Sequence, residues 1–143
     1  MLKIKRFSPN HLDSLNKCFN TVFDSTELEN YRKIKDFSLT FVGMDPNDNV
    51  KAFIIANKSE SKFGEYEIAY LGISSEFRGR GYGKILLRLM MNELKGHCVW
   101  LNALVNNDIA CKLYKEAGFI EMDRYIDNSG NNSIAFATVD CLK

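Results

Sequence analysis

Ile73-Ser74-Ser75-Glu76-Phe77-Arg78-Gly79-Arg80-Gly81-Tyr82-Gly83-Lys84 decides how this chain is read. Glycine alternates at Gly79, Gly81 and Gly83, and the stretch opens into an apolar stripe at Ile85, Leu86, Leu89, Met90 and Leu94, which is helical spacing. Tyr66 to Ile73 before it reads as a strand. A glycine-rich strand-to-helix turn lets the backbone curl close to a ligand without Cβ interference. The first N–H groups of a helix have no intrahelical partner, and they sit at the positive end of its dipole, so such a turn binds phosphate. Arg78 and Arg80 add positive charge there. No Gly-Lys-Ser/Thr closes the stretch, so it is not a Walker A loop. A dinucleotide fingerprint would follow the first strand and be spaced differently.

Working outward, Leu2 to Phe7 alternates as a first strand, and Ser8-Pro9-Asn10 signals a helix start. Leu12, Leu15, Phe19, Val22 and Phe23 give a helix to about Phe23; Ser25 or Thr26 then caps a second, more polar helix through Ile34. Phe37 to Met44 and Val50 to Ala56 form a hairpin around Asp45-Pro46-Asn47-Asp48-Asn49. Beyond the glycine helix, Gly96 acts as a C-cap and Val99 to Val105 is a strand. Asn106-Asn107-Asp108 caps a short helix through Glu116, which Gly118 stops. Phe119 to Ile126 and Ser133 to Val139 close the chain as a pair. The order β-α-α-β-β-β-α-β-α-β-β specifies an α/β domain: a mixed, mostly antiparallel sheet of six to seven strands flanked by about four helices.

The 143 residues fit one domain, and 45% hydrophobic with 26% charged residues is ordinary globular composition. A net charge of +1 argues against a basic nucleic-acid-binding domain. No apolar run reaches the roughly 18 residues of a membrane helix, and Met1 to Arg6 lacks the apolar core of a signal peptide. The expectation is a cytoplasmic protein with no membrane partner. Cys18, Cys98, Cys111 and Cys141 match neither a zinc nor a CxxC pattern and are expected as reduced thiols. No cluster has metal-ligand spacing. His11 and His97 read as surface residues.

A second motif raises the specificity. Asn107, Ala110, Leu113, Tyr114, Gly118 and Phe119 follow the pattern Asn-x-x-Ala-x-x-Leu/Phe-Tyr-x-x-x-Gly-Phe. Together with Arg78-Gly79-Arg80-Gly81-Tyr82-Gly83, which follows Arg/Gln-x-x-Gly-x-Gly/Ala, it resembles the GNAT superfamily of N-acetyltransferases. The motifs stand in the family's order and near its usual separation, and they cover roughly Glu67 to Phe119. Ser75 stands where the family often has proline.

The resemblance implies one N-acyltransferase domain over 1–143 that uses acetyl-CoA as co-substrate and no metal. It assigns the CoA pyrophosphate to backbone N–H groups of Phe77, Arg78, Gly79, Arg80, Gly81, Tyr82 and Gly83, with Lys84 beside them. Ala69 to Ile73 would pair with the pantetheine arm, a splay from the strand Val99 to Val105 would make the thioester slot, and an N–H among Leu71, Gly72 and Ile73 would polarise the acetyl carbonyl. Asn107 and Ala110 would lie along the cofactor arm, with Asn107 also a helix cap; Tyr114 would be the general acid for the departing thiolate.

Glu67 is the candidate general base, with Glu65 on the same strand parity its rival and a water chain the alternative. The acceptor is a primary amine of a small molecule or of a peptide or protein, with the minimal length favouring a small amine. Acceptor contacts are implied for Leu12 to Ile34 and Asp127 to Ser133, where Glu27 and Glu29 suit a cation. Relatives are often homodimers. A non-catalytic acyl-CoA-binding module would keep the glycine loop but need neither Tyr114 nor Glu67.

Overall fold

The computed structural model describes residues 1–139; the expectation of a reduced thiol at Cys141 lies outside the described residues. Among the described residues, seven strands and four α-helices follow the anticipated order. The chain forms two compact units, Met1–Asn57 with Ala69–Met91, and Lys58–Ile68 with Asn92–Lys143. Strand β4 (Tyr66–Ile73) and helix α3 (Tyr82–Glu93) each begin in one unit and end in the other.

In the first unit, β1 (Lys3–Arg6), β2 (Thr40–Met44) and β3 (Val50–Lys58) run antiparallel in sequence, and β4 follows β3 in sheet order. A bulge at Gly43/Met44 precedes the hairpin turn, where the Asp45 carboxylate accepts from the Asn47 and Asn49 amides, both at 2.9 Å. Helix α1 (Leu12–Val22) buries Leu15, Cys18 and Phe19, the i, i+3, i+4 positions of one face. They pack on Val42, Phe53 and Ile55.

Three expectations are corrected in this region. Helix α2 (Ser25–Arg32) is capped by Asp24, whose side chain accepts from the Thr26 amide at 3.0 Å, rather than by Ser25 or Thr26. A carboxylate just ahead of the first turn also meets the positive helix end. The helix stops at Arg32 instead of Ile34, because the Lys33 and Ile34 amides tighten onto the Asn30 and Tyr31 carbonyls. Strand β2 likewise starts at Thr40, while Phe37 leaves the strand to stack on Phe7 at 5.2 Å.

In the second unit, the first residues of β4 lie parallel to β5 (Val99–Leu104), and β7 (Asn132–Ala137) stands antiparallel between β5 and β6 (Ile120–Ile126). The registered β4/β5 ladder is two pairs long, Tyr66↔Val99 and Glu67↔Trp100. Helix α4 (Asp108–Glu116) starts at Asn107, whose side chain accepts from the Ala110 amide at 3.1 Å, and Gly118 at φ 98° ends the turn after it. Cys18 and Cys111 are free, but Cys98 is disulfide-bonded, which corrects the expectation of reduced thiols throughout. Among the described residues no helix is long and apolar enough to cross a membrane.

Candidate active site

The glycine loop lies in the first unit. Ser75–Phe77 forms one 3-10 turn after β4, and Gly79 (φ 75°) and Gly81 (φ 86°) then take left-handed backbone conformations. A Cβ on either would meet nothing within 4 Å, so glycine is required there by conformation and not by space. Ile85 is the first helical amide to bond back, to the Gly81 carbonyl at 3.1 Å. The amides of Gly79, Arg80, Gly81, Tyr82, Gly83 and Lys84 have no acceptor among the described residues. They form a cradle of donors at a helix N-terminus, which fits a diphosphate.

Three side chains brace the loop. Arg78 Nε donates to the Ile73 carbonyl at 3.0 Å, tying the loop to the end of its own strand. Arg80 lies over the Phe77 ring, 5.3 Å from its centroid. Tyr82 Oη accepts from the Leu2 amide at 2.8 Å. Of the strand residues assigned to the acyl carbonyl, Gly72 is buried, and a Cβ there would stand 2.6 Å from Phe53 Cζ, so this glycine serves packing.

Glu67, Asn107, Ala110 and Tyr114 lie in the second unit. Register fixes their faces. Glu67 is opposite Trp100, and Trp100 is opposite Ala137, so these three share one face. Tyr114 packs against Phe136, its ring 6.0 Å away, and Phe136 points to the other face. The proposed base and acid therefore flank the sheet from opposite sides. Tyr114 also contacts Phe119 at 6.1 Å, and burial, followed by the neighbouring Cys111, pushes its phenol up to about 12. Such a phenol stays protonated and able to donate at any working pH.

The two glutamates on β4 parity differ sharply. Glu65 accepts from the Cys98 amide at 3.1 Å and pairs with His97 Nδ1 at 3.6 Å, and these bonds hold its carboxyl below the ordinary range. Glu67 has no hydrogen-bond or ionic partner among the described residues, and burial alone raises its carboxyl. His97 is thus a partner of Glu65, and His11 accepts from the Ser8 amide at 3.0 Å.

The sequence reading missed two polar residues on the Glu67 face. Asn102 on β5 is opposite Ala135 on β7, and Tyr125 on β6 is opposite Ser133, both on the Trp100 side. A bulge at Glu121/Asp123 shifts the parity of β6, so simple alternation misplaces Tyr125. Among the described residues no group of three or more His, Cys, Asp or Glu is arranged to hold a metal.

Residues 9–119 match the model of the Acetyltransferase (GNAT) family. The chain is 38% identical over 55 residues to N-alpha-acetyltransferase RimI of Mycobacterium tuberculosis, 38% of this chain and 35% of that protein. It is 33% identical over 75 residues to the ribosomal protein bS18-alanine N-acetyltransferase of Haemophilus ducreyi, 50% of each. The chain thus spans about a third to a half of the curated relatives it matches. Among solved structures, the ribosomal-protein-S18-alanine N-acetyltransferase of Escherichia coli superposes with a TM-score of 0.74 at 21% identity, over 96% of this chain and 93% of that one. A chain of the NatC complex bound to Gag peptide and CoA superposes with a TM-score of 0.75 at 19% identity, over 96% and 97%. With the phosphate cradle, the Asn107-to-Phe119 motif and a family match over most of its length, this chain belongs to the GNAT acetyltransferase family.

Proposed function

We propose that the chain acts as one acyl-CoA N-acyltransferase domain that moves an acetyl group from acetyl-CoA directly to the primary amine of a peptide or protein. The observation that carries the reading is the glycine cradle, with its run of amides from Gly79 to Lys84 lacking acceptors. Its geometry fits the CoA diphosphate. The acceptor class is supported by relatives named for ribosomal-protein alanine and N-alpha acetylation.

In this reading Glu67, directly or through a water, takes a proton from the ammonium group, which is mostly charged at neutral pH. The neutral nitrogen attacks the thioester carbonyl carbon. A C–N bond forms, the C–S bond breaks, and the electron pair leaves on sulfur. Tyr114 gives that sulfur a proton and regains one from the nitrogen through solvent. An amide near Leu71 to Ile73 donates to the carbonyl oxygen as negative charge develops. The two-pair β4/β5 ladder supports a slot for the thioester beside Glu67.

The test is acetyl-CoA turnover, read as released thiol, with free-amine peptides, amino acids, polyamines and lysine peptides. Release stimulated by free-amine peptides and lost in Tyr114→Phe supports the reading. CoA binding without stimulated release returns the weight to a binding module, and no CoA binding overturns the proposal.

A further inference from the structure

Gly79 and Gly81 give the diphosphate loop its curl but no rigidity. Both hold positive φ, and nothing lies within 4 Å of where a side chain would stand, so packing at these positions does not fix the loop's shape. Tyr82, the first residue of α3, stands between Gly81 and Gly83, and its amide is one of the donors without an acceptor. Its side chain reaches back 80 residues along the chain, where Oη accepts from the Leu2 amide at 2.8 Å. Leu2 is buried, and the β1/β2 ladder begins after it, at Lys3↔Met44. The Tyr82 hydroxyl therefore satisfies a buried donor that lies outside the ladder. Leu2 is seated in turn by Gly43 on β2, where a Cβ would stand 3.1 Å from Leu2 Cδ1 and 3.3 Å from Ile4 Cδ1. At the other end, the Tyr82 ring meets the Phe77 ring edge to face, with centroids 6.2 Å apart and planes at 74°. Phe77 and Tyr82 thus bracket Gly79 and Gly81, and Tyr82 fastens the bracket to the N-terminal strand.

We propose that Tyr82 is a positioning residue for the donor: tied through its hydroxyl to the Leu2 amide, it holds the loop amides aimed at the CoA diphosphate, so that donor affinity depends on how the N-terminal strand is seated. The loop is then ordered before the donor arrives, and binding carries no further entropic cost for ordering it. This inference rests on the acetyl-CoA reading.

The test compares CoA with pantetheine, which keeps the thiol arm and lacks the diphosphate. Each is read as a Kd on the full chain by calorimetry, or by displacement of CoA for the weaker ligand. Tyr82→Phe weakens CoA about fivefold, the size of one neutral hydrogen bond, and leaves pantetheine unchanged. Leu2→Pro removes the same bond from its donor side and lowers the ratio of the two affinities equally. Leu2→Ala keeps the amide, so it lowers the melting temperature without changing the ratio. In the double variant Tyr82→Phe with Leu2→Pro the two losses do not add, because both remove one bond. Unchanged CoA affinity in Tyr82→Phe, an equal loss on both ligands, or a ratio that falls as far in Leu2→Ala as in Leu2→Pro overturns the inference. Where Leu2→Pro does not fold, the ratio in Tyr82→Phe decides alone. A wild type that binds no CoA overturns the acetyl-CoA reading instead.

Discussion

In the proposed reaction, the loop from Arg78 to Gly83 and the sheet face around Glu67 work by opposite means. The loop uses backbone: donors without acceptors, and glycines that meet nothing yet hold φ values of 75° and 86°. The Glu67 face uses side chains on regular strands, where the backbone is ordinary and the chemistry lies in what is left unpaired. Charge divides the same way. The unit holding the loop has twelve Lys and Arg against eight Asp and Glu, and the other has seven against ten. A polyanionic donor suits the first and a cationic acceptor the second. In one region a substitution acts by moving the main chain; in the other an isosteric change silences chemistry and leaves the fold intact.

The largest expected effect is Glu67→Gln. It keeps the shape of the side chain and removes the proposed base, so kcat falls by about a hundredfold or more, while the KM for acetyl-CoA and the melting temperature hold. The pH profile gives a second readout. Burial raises the Glu67 carboxyl, so its deprotonated form is lost as pH falls through a value above the ordinary carboxylate range. In the wild type, kcat/KM for the acceptor has an acid limb there, on top of the limb of the amine itself. Glu67→Gln abolishes the first and keeps the second. A variant that retains most of its activity moves the base to Glu65 or to water, and the contrast between the regions collapses.

Gly72→Ala comes next and belongs to neither region's chemistry. The new methyl would stand 2.6 Å from Phe53 Cζ and 3.0 Å from Val22 Cγ1, inside a closed core. Overpacking of this kind costs about 1–3 kcal/mol. Denaturant unfolding measures it as a lower midpoint. Gly81→Ala is the opposite experiment, because its Cβ meets nothing and only the backbone conformation objects. The loop relaxes, the amides turn away, and the KM for acetyl-CoA rises about tenfold, a loss of roughly one charge-assisted hydrogen bond, with acceptor KM unchanged. An equal rise in both KM values would show that the loop does not act on the donor alone.

How readable each region was follows from the same difference. Alternating glycines are visible as letters, so the turn from Arg78 to Gly83 is legible in the sequence, as is the Asn107 helix cap from its spacing. The Asp24 cap was missed because Ser25 and Thr26 compete with it in sequence, and only geometry shows which side chain takes the Thr26 amide. Glu65 and Glu67 share a parity, and burial and partners, which no single-strand pattern carries, tell them apart. Tyr125 was hidden by the bulge at Glu121/Asp123, which shifts the strand's parity in a way alternation does not register. Cys98 lacked any spacing that announces a disulfide.

The smallest expected effect tests the claim that the loop works through its backbone. Arg80 is the most conspicuous charge in the stretch, yet its guanidinium lies over the Phe77 ring, which an exposed cation–π contact stabilises by only about 0.5–1 kcal/mol. If the amides do the binding, Arg80→Ala raises the KM for acetyl-CoA only about threefold, consistent with a screened surface charge, and the excess fades as salt is added. Gly81→Ala, by contrast, keeps its penalty at high ionic strength, because misaligned amides are not restored by screening. A larger effect for Arg80→Ala than for Gly81→Ala, steep in salt, would mean that charge rather than conformation holds the diphosphate, and the two regions would then work by the same means after all.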